Sequence, residues 1–386
     1  MSEIVLFLLS AIVSAIVNLS GRLRGRAAPR RILVVKLDHL GDVVLATPAT
    51  RALRVRYPEA SIDALVHPGS AVVLAGNPSI TRILTYRSPR FARGRAADGL
   101  SRLREIARAR YDTLVELRGD ERTLLLPFLC GATRRVDRGA ARIRHALRRL
   151  RPGTPRVIHE VEANLEVVLP LIGPRSAGAT RPALEVRVDP EARASMLRKL
   201  ADRGIRADAR LVVIHPGAAW RPRAWRSERF GAVADWILGH YDATVVLIGS
   251  EDERGVEDEV RRSIQRSPVH ALAGRMTLEE VTALLEMSAL FLGNDSGPAH
   301  LASACGVPSI VLFGPQDPRR FRPWSERTYV LHRQVPCFPC RQTVCVMSEN
   351  PCVNRNEVAE VIARAGDLLG SPRTSSRTLR AASAAG

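Results

Sequence analysis

Three short segments combine glycine with side chains able to move protons or hold anions. The first, Lys36-Leu37-Asp38-His39-Leu40-Gly41-Asp42, directly follows an apolar run at 31–36. Either carboxylate is a candidate general base that takes a proton from an attacking hydroxyl, although Asp is equally a good helix N-cap. The second segment is His215-Pro216-Gly217-Ala218-Ala219, followed by Arg221, Arg223, Trp225 and Arg226. A glycine turn after a strand exposes backbone N–H groups, and the arginines could neutralise a diphosphate; alone, the segment also reads as a solvated basic loop. The third runs Asn294-Asp295-Ser296-Gly297-Pro298-Ala299-His300. Helix N-terminal N–H groups and Ser296 suit a phosphate and Asp295 a sugar hydroxyl, yet each could be a plain cap. A further turn, Gly314-Pro315-Gln316-Asp317-Pro318, ends the next predicted strand.

These segments need strands and helices to position them. Apolar runs at 31–36, 61–66 and 113–116 read as buried strands, with helical periodicity at 43–55 and 99–110. A turn-rich stretch at 173–180 precedes a linker, and the alternation restarts. Strands are expected at 211–214, 244–248, 290–293 and 309–313, between helices at 189–203, 227–238, 253–264, 277–287 and 297–305. Thr277 and Glu280 have capping-box spacing. The expectation is an α/β chain of two doubly wound domains, 31–185 and 186–370. An apolar helix and basic linker, 1–30, precede them, and a disordered tail, 371–386, follows. Ligands bind beyond the carboxyl ends of such strands, so the motifs are expected to converge on one interdomain cleft.

Composition narrows the partners. A net charge of +19 over 386 residues predicts attraction to polyanions, but only 4% of residues are aromatic and no basic run is interleaved with them, which argues against nucleic acid. Residues 4–20 are uncharged and largely apolar, with Arg22, Arg24, Arg26, Arg30 and Arg31 after them. Charge following the apolar stretch favours a body retained on the cytoplasmic side of the inner membrane. Ser10, Ser14, Asn18 and Ser20 interrupt the stretch, so spanning the bilayer, lying in its interface and packing as an ordinary first helix all remain open. The eight arginines of 134–151 read either as a solvated face or as a grip on a phosphorylated acceptor or the anionic inner leaflet. Cys337, Cys340, Cys345 and Cys352 cluster; the first pair has zinc-knuckle spacing but the rest is irregular, which favours plain thiols over a metal site.

Together the motifs resemble the lipopolysaccharide heptosyltransferase family, over about residues 31–362. The match rests on Lys36 with Gly41-Asp42, on the His-Pro-Gly-Ala segment, on residues 294–302, and on the Gly-Pro-x-Asp-Pro turn. The resemblance implies two Rossmann-like domains facing across a cleft (the GT-B type) and an inverting, cofactor-free and metal-independent transfer from an ADP-sugar to an anionic glycan or glycolipid. It implies Asp42 as the base and Arg223 as the holder of the leaving diphosphate, where the family usually has Lys. Lys36, His39 and Gly41 fall on the acceptor side. His215, Gly217, Ala218, Ser250, Glu251, Asn294, Asp295, Ser296, Gly297, His300, Gly314 and Pro315 fall on the donor side. Two other readings stand beside it: a sugar-nucleotide epimerase on the same fold, which would convert donor without acceptor, and a catalytically silent sugar-binding scaffold.

Overall fold

The structure is a computed structural model that describes residues 3–23, 27–87, 96–118, 123–150, 157–173, 181–338, 340, 345–347 and 351–371. The expected tail beyond residue 371 and most of the turn-rich stretch 173–180 lie outside the described residues. The chain divides into two compact units: Met1–Arg187 with Arg319–Trp324, and Val188–Pro318 with Ser325–Gly386.

In the first unit, α1 (Glu3–Leu23) leads to β1 (Arg31–Lys36), α2 (Leu40–Val44), α3 (Thr47–Arg56), β2 (Ser61–Val66) and β3 (Arg82–Thr85). Then come α4 (Ala96–Ala109), β4 (Thr113–Glu116), α5 (Leu126–Cys130), β5 (Arg134–Asp137), α6 (Arg138–Arg148) and α7 (Glu160–Ile172). The strands pair in parallel in the order β3-β2-β1-β4-β5. Alternate residues of β1 serve opposite faces, as a strand requires. Ile32 and Val34 join a core with Ala49, Leu53 and Val167, whereas Leu33 and Val35 join Leu84, Ile106 and Leu114. Helices therefore cover both faces of the sheet.

In the second unit α8 (Pro190–Ala201), β6 (Arg210–His215), α9 (Ser227–His240), β7 (Ala243–Leu247), α10 (Arg254–Ser263) and β8 (Val269–Ala271) are followed by α11 (Leu278–Glu286) and β9 (Leu290–Asn294). The chain continues through α12 (Gly297–Ala304), β10 (Ser309–Phe313), α13 (Pro318–Phe321), of which all but Pro318 belongs to the first unit, β11 (Thr328–His332) and α14 (Val358–Leu369). The order is β11-β10-β9-β6-β7-β8, again all parallel. Counted within the unit this is 3-2-1-4-5-6, the strand order of dinucleotide-binding sheets. The first unit has the same order without the sixth strand. In both, strand order reverses between the first and fourth strands, β1/β4 and β6/β9, and the crevice at that reversal is where such sheets take ligands.

Two expectations change. The helix expected over 43–55 is two, α2 and α3, with a break at Leu45 and Ala46; Pro48, in the first turn of α3, has no N–H to donate to the preceding turn. The basic stretch 134–151 is not a uniformly solvated face. Its first part is β5, where Arg135 is 1% exposed, and Arg138 at the start of α6 is 8% exposed. Strands β3, β8 and β11 gave too little apolar run to be read in advance.

Candidate active site

The loop after β1 is fixed by a buried charge network. Lys36 Nζ lies 3.1 Å from Asp38 Oδ2 and 3.3 Å from Glu160 Oε1. Arg118 pairs with Asp38 and Arg138 with Glu160. Burial alone would raise the Glu160 carboxyl, but the Arg138 and Lys36 cations outweigh it and hold it below the usual carboxylate range. Glu160 opens α7, whose N-terminus is anchored by His159. The His159 side chain accepts from Val161 N, Glu162 returns a bond to His159 N, and His159 Nε2 contacts the Arg322 carbonyl at 2.8 Å.

Backbone contacts complete the frame. The Ser70 hydroxyl donates to the Asp38 carbonyl at 2.9 Å and the Asn164 amide to the Leu45 carbonyl at 3.1 Å, tying down both ends of residues 38–45. Within them the cap of α2 is His39, whose side chain makes no capping bond. Neither Asp38 nor Asp42 is the cap. Asp38 is buried between two cations, and Asp42 is a half-buried carboxylate on the first helical turn, beside buried Gly41. A direct acceptor contact from Lys36 does not fit its surroundings: it is 4% exposed with two carboxylates already on its ammonium, so it positions the loop. The sequence reading missed His67, which follows β2. Its ring accepts from Gly69 N at 3.2 Å, and burial, then Arg87 and His39, lower its pKa, so it faces the same strand ends as a neutral imidazole. The signal was present, since His67-Pro68-Gly69 repeats the letters of His215-Pro216-Gly217.

In the second unit the loops after β6, β7, β9 and β10 carry the residues expected on the donor side. Asn294 is fully buried and spends its amide on backbone: Oδ1 accepts from Trp225 N at 3.1 Å, and Nδ2 donates to Pro216 O at 2.8 Å and Gly217 O at 3.3 Å. It holds the 216–225 loop in shape and has no donor group left for a ligand, which corrects its assignment as a binding residue. Ser296 occupies the cap position of α12 without making the capping bond; its hydroxyl sits 3.0 Å from His215 Nδ1. His215 Nε2 lies 3.4 Å from Glu253 Oε2. The bond from His215 is the largest reason that the Glu253 carboxyl falls to about 2, and Ser250 supports it through its backbone N–H at 2.8 Å and its hydroxyl at 3.0 Å. Glu251, expected on the donor side, points to solvent beside Arg254; the acid facing the His215 loop is Glu253. Gly217 follows from this arrangement, because a Cβ there would stand 1.9 Å from Glu253 Oε1. Ala218 is half-buried beside it.

Arg223 is 12% exposed, 3.4 Å from Asp295 Oδ2, with its guanidinium 4.8 Å from the centre of the Trp220 ring. Gly314 permits the close approach of this turn: a Cβ would come within 3.2 Å of Pro222 O and 3.0 Å of Val353. Asp295 is 6% exposed, and burial outweighs Arg223 to raise its carboxyl to about 6. Its Oδ2 accepts no hydrogen bond. Beside this under-compensated pair lie the N-terminal N–H groups of α12, from Gly297, and the buried His300; Pro315 is buried at the end of β10. An anion is stabilised by such a collection.

The four clustered cysteines are all thiols, with Cys337 exposed and the others half-buried. Burial, together with the other three thiols, raises Cys352 to about 11. Among the described residues no three His, Cys, Asp or Glu side chains are arranged to hold a metal ion.

Doubly wound sheets with polar loops at their reversal points are the framework of enzymes that handle nucleotide-linked substrates. A family model described as glycosyltransferase family 9 (heptosyltransferase) matches residues 100–350. The lipopolysaccharide heptosyltransferase 3 of Escherichia coli is 29% identical over 352 residues, which cover 86% of this chain and 98% of the relative. A family 9 glycosyl transferase from Veillonella parvula DSM 2008 shares the fold with a TM-score of 0.72 at 23% identity, over 89% of this chain and 97% of that one. The ADP-heptose lipopolysaccharide heptosyltransferase II of E. coli does so with a TM-score of 0.67 at 20% identity, over 88% and 98%. The chain belongs to glycosyltransferase family 9 and is a glycosyltransferase.

Proposed function

We propose that this enzyme transfers a heptose from ADP-heptose, with inversion and without a metal ion, to a sugar hydroxyl of a lipopolysaccharide-type acceptor at the cytoplasmic face of the membrane. The donor and acceptor classes rest on family membership and on the names of the relatives. The observation that carries the mechanism is the fixed loop after β1, which the buried network of Lys36, Asp38, Arg118, Arg138 and Glu160 holds in place. Asp42 stands half-buried on the first turn of α2, the helix that this loop leads into, where a carboxylate can take a proton from an acceptor hydroxyl.

Inversion needs one base and a stabilised leaving group, with no covalent partner. Asp42 takes the acceptor proton as the hydroxyl oxygen attacks the anomeric carbon and the bond to the diphosphate breaks. ADP departs as an anion toward Arg223, the α12 N–H groups and the Ser296 hydroxyl, with Asp295 and His300 on the sugar side. His39 and His67 lie on the acceptor side.

The test is direct. Purified enzyme with ADP-heptose and a heptose-accepting core glycolipid should release ADP at a rate that EDTA leaves unchanged, and NMR should show the opposite anomeric configuration in the product. A retained configuration, or ADP-heptose conversion without acceptor, sinks the reading.

A further inference from the structure

Helix α1 is docked inside out. A surface helix ordinarily buries its apolar stripe and shows its polar face to water. Here, among the described side chains, the buried positions are Ser10, Ser14, Val17 and Gly21, all on one face. That face sits on β5, the edge strand of the first sheet. Arg135 donates to the Ser10 carbonyl at 2.6 Å, the Ser10 hydroxyl at 2.9 Å and the Ser14 hydroxyl at 3.0 Å, and Ser14 donates to Asp137. The Asn18 amide bonds the Arg135 backbone on both sides, through N–H at 3.2 Å and C=O at 2.7 Å, and so stands in for the strand that β5 lacks. The guanidinium of Arg135 is fully buried under this cover.

The outward stripe is therefore the apolar one. Leu8, Ile12, Ile16, Leu19 and Leu23 are between 50% and 81% exposed at helical spacing. Helix α6 packs alongside α1 and, with the turn that follows it, adds Ile143, Leu147 and Leu150, the last two at 62% and 82% exposure. The surroundings are basic. Arg22, Arg142 and Arg149 are exposed, and Arg30, Arg56 and Arg134 line a concave surface with residues 27–29, where the chain leaves α1.

We infer that α1 and α6 form an in-plane docking surface for an anionic lipid bilayer, with the apolar stripe inserted at the headgroup boundary and the arginines on acidic headgroups. A span is not available to α1: no helix among the described residues is long and apolar enough to cross a membrane, and leaving β5 would strip Arg135 of its partners. Charge selects the bilayer over a second copy of the chain. Two like-charged rims on a protein of net charge +19 repel, whereas an anionic surface gains roughly fivefold in partitioning for each basic residue brought close. The inference does not depend on which sugar is transferred.

Co-sedimentation of the full chain tests it, with vesicles of phosphatidylcholine alone or mixed with phosphatidylglycerol. Binding should be at least roughly tenfold tighter to the anionic vesicles and should weaken with salt. The triple change Ile12→Glu, Ile16→Glu, Leu19→Glu should lower it by roughly tenfold or more, with ADP affinity and the thermal unfolding profile unchanged. Should that variant unfold, Ile12→Ser, Ile16→Ser, Leu19→Ser makes the same cut with less charge. A folded variant that binds vesicles like the parent overturns the inference. So does a lipid-free dimer, seen by sedimentation equilibrium, that the same changes dissociate, because the stripe then covers a second copy.

Discussion

The two reversal points share a topology and handle charge in opposite ways. After β1, five ionised side chains, Lys36, Asp38, Arg118, Arg138 and Glu160, are matched to one another. After β6 and β9 the matching is incomplete: Arg223 meets Asp295 at 3.4 Å, and burial still raises that carboxyl to about 6. A closed network is rigid and offers an incoming ligand little, which suits a frame that aims one carboxylate. An under-compensated pair beside a helix N-terminus leaves room for an anion, which suits a receiver of diphosphate. The His-Pro-Gly tripeptides repeat the contrast: His67 accepts from its own turn, while His215 reaches two other loops at Ser296 and Glu253.

If the first site is a frame for one base, Asp42→Asn should leave ADP affinity unchanged and lower kcat by about 10³-fold, within the range of general-base loss. Full turnover in that variant, measured with saturating donor and acceptor, would remove Asp42 from the chemistry. The frame itself breaks differently. Glu160→Gln leaves the buried Lys36 and Arg138 under-compensated, at an expected cost of about 3–5 kcal/mol in denaturant unfolding of the first unit. Arg223→Ala should cost less in unfolding than Glu160→Gln, because burial already outweighs the arginine at Asp295, which can take up a proton when its partner is lost. Its effect belongs to binding: ADP affinity should fall roughly 10- to 100-fold by calorimetry, with Arg223→Lys in between, since Lys keeps the charge but loses the planar fork and the stacking on Trp220. Equal effects of the Glu160 and Arg223 changes on stability would erase the distinction.

Much of this was legible in the sequence because strands and caps obey local rules. Residues 31–36, 61–66, 113–116 and 309–313 read as strands and fold as strands with those bounds, and Thr277 caps α11 with Glu280 as its spacing implied. What local rules cannot show is where a polar side chain spends its hydrogen bonds. Asn294 sits in a donor motif but is consumed by backbone 69 to 78 residues away. Glu253 was hidden behind Glu251, because which acid turns inward depends on the turn that Ser250 opens. Arg135 looked like one more surface arginine, since the helix that buries it lies more than 100 positions earlier.

The smallest expected effect probes the receiver's incomplete pairing. An unfolded aspartate loses its proton near 3.8, whereas Asp295 in the fold keeps its proton to about 6. Between those values the folded protein holds more protons, so ionising Asp295 costs stability as pH rises through that window. The same ionisation places a carboxylate beside Arg223, the cation that the proposed function assigns to the diphosphate. Donor binding should therefore tighten several-fold as pH falls from 7 through 6. ADP is a poor probe, because a terminal phosphate itself titrates near 6. An ADP-sugar has no such group, and its dissociation constant against pH reports the protein alone. Asp295→Asn should flatten that profile; a profile that keeps its slope in the variant assigns the titration to another group and leaves Arg223–Asp295 as a fully compensated pair like those after β1.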